Sequence, residues 1–329
     1  MNTSNHSQNM FSHTEFILFG FPGILAYRRF LVIPFLSVYV MIWTGNFILI
    51  YQICVVRSLQ SPMYILISIL FTVNIFSTTS FIPKFILGLS INMNEITLAG
   101  CLVQMFCIYF MAIFESGIIL AMALDRYVAI CKPLRYNDIM SKQTLVYLVL
   151  VGIVRSLIFA SPMVILASYA QYCKSHIILN FVCENMGLLS LACSDISKLQ
   201  IIGLLVRIFI TIPDSGLLLL SYSSILYAAM KIVSGKARHK ALQTCGMHLL
   251  VAMLIYICAI VSSVVYRMHA RVSYDVQNLF NAIYLMFPAT LNPFIYGLGV
   301  KEIRQSLKRS SKRSLVFSSS IHIHTQRCT

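Results

Sequence analysis

A chain of 329 residues that is 58% hydrophobic and 11% charged, with a mean hydropathy of +0.81, is too apolar for one water-soluble core; an ordinary soluble domain is about 25% charged. Those values place it in the polytopic membrane class. The formal charge of +15 invites a nucleic-acid partner, but the bases sort with the gaps between apolar runs, and that distribution argues against one.

Residues 1–14 are polar and lack Lys and Arg. They supply no signal-peptide n-region, so the first apolar run is expected to stay as an uncleaved anchor. Asn2-Thr3-Ser4 and Asn5-His6-Ser7 both fit the N-glycosylation pattern. A membrane-crossing helix needs roughly 20 apolar residues. Seven runs qualify, at 30–55, 63–89, 98–130, 144–168, 199–233, 245–266 and 276–298. The expected organisation is an outer tail over 1–29, a seven-helix bundle over 30–300, and a cytoplasmic helix and tail over 301–329.

Arg57, the bases from Arg126 to Lys142, those from Lys231 to Lys240 and those from Lys301 to Arg313 fall in one set of gaps. The other set holds Arg28, Arg29, Lys174, Lys198 and Arg271. The richer set should be cytoplasmic, which puts the N-terminus outside, in the plasma membrane. Lys301 to Arg313 alternates bases with Ile303 and Leu307 and reads as a short amphipathic helix on the inner leaflet. Pro83, Pro162, Pro213, Pro288 and Pro293 fall inside spans, where neighbouring helices can satisfy the carbonyls they free.

The third run ends in MALDRYVAICKPLRY, residues 122–136, with Asp125 and Arg126 adjacent. A charge facing lipid costs several kcal/mol, so such a pair belongs at a membrane boundary or within the bundle. Cys101 opens the same run, and Cys173, Cys183 and Cys193 lie in the longest outward gap. Four cysteines on an oxidising face read as two disulfides, with three pairings open. A metal site adding His176 and Glu184 fits no compact ligand spacing.

The order of motifs resembles a rhodopsin-like G-protein-coupled receptor, specifically an olfactory receptor. It is carried by Gly45-Asn46, Pro62-Met63-Tyr64, the MALDRYVAICKPLRY stretch, Ser221-Tyr222 with Ile225, Lys240-Ala241-Leu242 with Thr244-Cys245 and His248, and Leu291-Asn292-Pro293 with Tyr296. Gly20-Phe21-Pro22-Gly23 and Ile33-Pro34-Phe35 resemble the class I branch. The resemblance implies a Cys101–Cys183 disulfide, leaving Cys173 with Cys193. It also implies an inner lock at Asp125, Arg126 and Tyr127, with Tyr222, Asn292, Pro293 and Tyr296 moving on activation. Its implied partners are a small odorant and a stimulatory G protein that raises cyclic AMP, and its implied setting is the membrane of olfactory cilia. No cofactor is implied. Departures are Asn74 where the family has Asp, which weakens a sodium site shared with Glu115, Ala289 in place of a second Pro, and Asn180 in place of a loop His.

A ligand site should open outward, mostly apolar with a few placed polar groups. On the third span Ile108, Tyr109, Ala112, Ile113 and Ser116 share a face at helical spacing, as do Tyr256, Ala259, Ile260, Ser263 and Arg267 on the sixth. Ile108 stands where amine receptors carry Asp, which argues against a monoamine. Arg267 is the favoured anchor for a carboxylate, with Arg207 as a second, because a guanidinium presents a planar fork. Arg155 is read as structural, and Asp214, roughly 10 Å along the helix from Arg207, is too far to pair with it. A non-olfactory receptor of the same fold is the nearest alternative. A secondary transporter lacks support from internal repeats, and no HExxH, GxSxG or phosphate loop supports an enzyme.

Overall fold

The structure, a computed structural model, describes residues 12–231, 235–267 and 271–309. Asn2 and Asn5 therefore lie outside the described residues. The apolar runs form helices α1 (Val32–Val55), α2 (Pro62–Thr79), α3 (Ile82–Ile91), α4 (Leu98–Cys131), α5 (Tyr136–Ile139), α6 (Lys142–Ser168), α7 (Asn185–Leu189), α8 (Ser197–Met230), α9 (Gly235–Arg267) and α10 (Tyr274–Gly299). Six helical runs are long and apolar enough to cross a membrane, with α2 and α3 counted as one. A seventh is α10, followed by a short helix, Lys301–Arg309, bent 80° away from it. The molecule is an all-α membrane protein built as a seven-helix bundle.

Local chemistry marks where these helices start. Thr97, Ser141 and Ser273 cap α4, α6 and α10 by accepting the N–H of Gly100, Thr144 and Val276 at 3.1, 3.2 and 3.4 Å. Pro62 opens α2, where its missing N–H costs nothing. Pro83 does more than kink the second span. It cannot donate to the carbonyl of Thr79, and α2 ends at that residue before α3 restarts at Ile82. By contrast Pro162, Pro213, Pro288 and Pro293 stay inside α6, α8 and α10.

The central strut is α4, which packs against α2, α6, α8 and α9. One apolar core joins Leu66, Leu70, Phe71, Ile118, Tyr222 and Tyr296, and a second stacks Phe35, Phe81, Phe85 and Phe181. On α6 the side chains of Val146, Leu150, Val154 and Ile158 are exposed at helical spacing, as a lipid-facing stripe requires. Three short strands, β1 (Glu15–Leu18), β2 (Glu95–Thr97) and β3 (Ile177–Ile178), form a sheet in the order β2-β1-β3 at the end of the bundle that carries the disulfides. That sheet had no signal in the apolar pattern.

Pro293 also fixes how α1, α2 and α10 meet. It frees the carbonyl of Ala289, one helical turn earlier, and Asn46 Nδ2 donates to that oxygen at 3.1 Å. Asn74 Nδ2 in turn donates to Asn46 Oδ1 at 3.0 Å. Gly45 permits the approach, since a Cβ there would already sit 3.3 Å from Pro293. Replacing Asn46 by Leu should strand the Ala289 carbonyl in a dry interior and cost about 1–3 kcal/mol. The check is the thermal unfolding midpoint in detergent, which should drop; an unchanged midpoint would mean that Ala289 finds another donor.

Candidate functional site

At the disulfide end, Cys101 in the first turn of α4 bonds to Cys183, and Cys173 bonds to Cys193. Polar contacts fix the loop from both sides. Gln104 Oε1 on α4 accepts the N–H of Cys183 at 2.8 Å, and Asn278 Oδ1 on α10 accepts that of Phe181 at 2.9 Å. The loop thereby lies across α4 and α10 and carries Glu184 and Asn185 inward. Asn185 donates its N–H to the Tyr109 hydroxyl at 3.1 Å. Glu184 Oε2 receives the side-chain amides of Asn180 and Asn281, each at 3.4 Å.

Arg207 on α8 is exposed and makes no ion pair or hydrogen bond among the described residues. Its charge reaches Glu184, Tyr109 and Tyr284. Burial pushes the Glu184 carboxyl up to about 7, with Arg207 and the Asn180 amide pulling the other way. These side chains converge on one region of the bundle from α4, the loop, α8 and α10. Of the two expected stripes, Ile113 is buried while Ala112, Ala259 and Ser263 are partly buried. Ile260 is corrected: at 52% exposure it joins Met253, Ile257 and Val264 on the lipid side of α9. Its error came from taking too wide an arc as one face. Arg267 is the last residue of α9, and its side chain lies outside the described residues.

Midway down the bundle one carboxylate gathers four helices. Asp214 Oδ2 on α8 pairs with Arg155 Nη2 on α6 at 2.6 Å. The same oxygen accepts the hydroxyl of Ser116 on α4 and, at 3.4 Å, that of Tyr256 on α9. Ser116 and Tyr256 also share a hydrogen bond at 3.1 Å. Gly117 and Gly152 face each other where α4 and α6 approach, the small-residue packing that lets Arg155 reach across. Sequence reasoning tested Asp214 only against Arg207 on its own helix and missed this partner. The available signal was that an Arg and an Asp in two different spans each need a counter-charge. Nearby, Glu115 Oε1 is buried without a hydrogen-bond partner among the described residues, and the Asn74 amide is committed to Asn46.

At the opposite end Arg126 Nε donates to Asp125 Oδ2 at 2.9 Å, and its Nη2 reinforces that contact. Tyr136 on α5 donates to Asp125 Oδ1 at 2.7 Å, while Tyr127 is partly buried. A cavity of about 210 Å³ opens beside Arg126, lined by Tyr64, His248 and Glu302 among others. His248 Nδ1 on α9 meets the Tyr296 hydroxyl at 3.1 Å. Tyr222, Asn292 and Tyr296 are buried in the core, and the Asn292 amide has no partner among the described residues. His248 Nε2 is likewise buried without a partner among the described residues, so only the Asp125–Arg126–Tyr136 contacts are closed.

Two measurements follow from this geometry. Arg155→Met leaves Asp214 buried and unpaired and should cost about 3–5 kcal/mol, while adding Asp214→Leu should recover part of the loss; a double-mutant cycle on unfolding midpoints reads the coupling. Glu184 favours its neutral form in the fold, because its value rises from 4.5 to about 7. Its contribution is therefore full below the lower value and is lost as pH rises through the upper one. The thermal midpoint should fall from about pH 5 to about pH 8, and Glu184→Gln should flatten that slope.

Residues 35–313 match the family model described as "Olfactory receptor". Human olfactory receptor 52D1 is 37% identical over 308 residues, covering 93% of this chain and 96% of its own. Human olfactory receptor 52B6 is 39% identical over 293 residues, covering 89% and 87%. Squid rhodopsin shares the fold, with a TM-score of 0.65 at 17% identity over 88% of this chain and 87% of its own. These are receptors rather than enzymes, and with relatives this similar along almost its whole length the chain belongs to the olfactory receptor family of G-protein-coupled receptors.

Proposed function

We propose that this odorant receptor takes a small carboxylic acid at its disulfide end, facing outward, and answers by activating a stimulatory heterotrimeric G protein at its Arg126 end. The observation that carries the acid reading is Arg207, a guanidinium without an ion pair among the described residues whose charge reaches Tyr109 and Tyr284. Arg267, at the end of α9, is the second candidate for the carboxylate. Apolar groups such as Ile113 would receive the alkyl chain.

Transmission runs through α9. Tyr256 ties that helix to Ser116 and Asp214, and His248 ties it to Tyr296. The two residues are eight positions apart, about 12 Å along the helix. A ligand that packs better against a shifted α9 biases both contacts at once, and it can move the equilibrium only by its differential affinity. Parting α9 from the Asp125–Arg126 pair would enlarge the cavity beside Arg126 and uncover a surface for the G protein. The charge distribution supports placing that end in the cytoplasm and the N-terminal residues outside, with Asn2 and Asn5 as glycosylation sites, in the membrane of sensory cilia.

The test is a cyclic AMP reporter in cells expressing the receptor with a stimulatory olfactory-type G protein, challenged with aliphatic acids and the matched alcohols and esters. Acids alone should respond. Arg207→Ala or Arg267→Ala, whichever removes the anchor, should raise the half-maximal concentration by about 10-fold or more, the scale of a lost charge-assisted hydrogen bond. Equal potency in both variants at equal surface density would sink the acid reading.

A further inference from the structure

We propose that the ligand of this receptor carries a hydrogen-bond donor as well as its acid group, so that it is a hydroxy acid or amino acid of aliphatic type rather than a plain alkanoate. The proposal rests on the acid reading above and adds a second polar contact to it. Two kinds of unspent hydrogen-bonding capacity meet at the disulfide end. On the donor side are the Arg207 guanidinium and the Tyr109 hydroxyl, whose oxygen accepts from Asn185 but whose proton has no acceptor among the described residues. A carboxylate fits that side, because guanidinium and phenol both donate.

The acceptor side sits on the loop. Both amide contacts to Glu184 reach the same oxygen, Oε2, and at 3.4 Å they are long. Its Oε1 receives no hydrogen bond from the described residues. Next to it Asn185 Oδ1 is an unpartnered acceptor on a side chain only 5% exposed. Asn185 stands against α8, since a Cβ on Gly203 would lie 3.5 Å from its Nδ2, and Arg207 is one helical turn further along α8. Arg207 and Glu184 feel each other's charge without closing an ion pair. The proposal places one small molecule between these donors and acceptors.

A plain alkanoate would satisfy Arg207 and press a methyl end on the buried, unpartnered Asn185 Oδ1 and on the half-buried Glu184 carboxylate. A hydroxyl or ammonium at that end would meet them. Sites built to bond a polar group reject the analogue that lacks it, so the preference should be at least about 10-fold in potency. The titratable and polar groups around Glu184 are Arg207 from α8, Tyr109 from α4, Tyr284 and Asn281 from α10, and Asn180 from the loop itself. Protonating Glu184 turns an acceptor into a donor, which removes the advantage of the amino compound.

The experiment compares butanoate, hexanoate and octanoate with their terminal hydroxy and amino derivatives and with the matching amino alcohols, using the cyclic AMP reporter and the full-length receptor. The expected result is a preference of about 10-fold or more for hydroxy or amino acids at one chain length. Glu184→Gln should shrink it, chiefly for the amino compound. In the unmodified receptor the preference for the amino compound should also narrow as the medium is taken below about pH 7, a reading that needs no variant to fold. Alkanoates as potent as their derivatives, with a ratio unmoved by Glu184→Gln and by pH, would overturn the proposal and leave the acid reading standing. Amino alcohols matching amino acids would overturn the proposal by removing the acid from it, and silence to every compound at confirmed surface density would overturn both readings.

Discussion

Within lipid no water is available to a stray donor or acceptor, and a group left unpaired there costs several kcal/mol. This constraint decides where the helices of the bundle meet. Pro293 removes one donor from α10, and the carbonyl it leaves on Ala289 is answered from α1 by Asn46, whose own oxygen is answered from α2 by Asn74. Three helices are registered by one missing N–H. The same demand suits an amide at position 74: Asn74 donates to Asn46 Oδ1, which an ionised carboxylate could not do.

Charge extends the same logic. Asp214 is buried, and its cost is met by converging donors from α4, α6 and α9. An ion pair of this kind adds little net stability compared with a well-packed apolar isostere. Its value lies in specifying position: four helices are indexed to one oxygen atom. Only the contact from Tyr256 is long, at 3.4 Å. The joint is therefore tight between α6 and α8 and loose toward α9, the helix proposed to move.

The seven apolar runs were legible because the bilayer sets their length and the chain keeps most of its charge in the gaps between them. The caps at Thr97, Ser141 and Ser273 are local too, each within a few residues of the start of its run. What could not be read involved partners far apart in sequence. Arg155 and Asp214 are 59 residues apart, and no periodicity within either span relates them. The small sheet joins the N-terminal segment to two loops through backbone bonds that leave no side-chain pattern. Ile260 failed for a geometric reason, since a stripe drawn over three turns spans both the inner and the lipid-facing edge of α9. Pro83 was read as a tolerated kink inside one span, and its actual consequence, two helices in place of one, depended on which carbonyl it left unserved.

The two carboxylates at the ends of the bundle, Asp125 and Glu184, differ in how closely their oxygens are bonded. Around Asp125 the contacts are short, with Tyr136 at 2.7 Å and Arg126 Nε at 2.9 Å. Around Glu184 they are 3.4 Å, Asn185 Oδ1 has none, and Arg207 has none among the described residues. The spare acceptors at the Glu184 end are ones that a small molecule could complete, whereas the Asp125 carboxylate already has its donors from Arg126 and Tyr136. The proposed recognition of a ligand at the Glu184 end rests on that difference. Because the loop that carries Glu184 is anchored through its backbone to Gln104 and Asn278, its side chains can vary without disturbing the anchorage. The ligand preference proposed for that loop can then change without altering the geometry around Arg126.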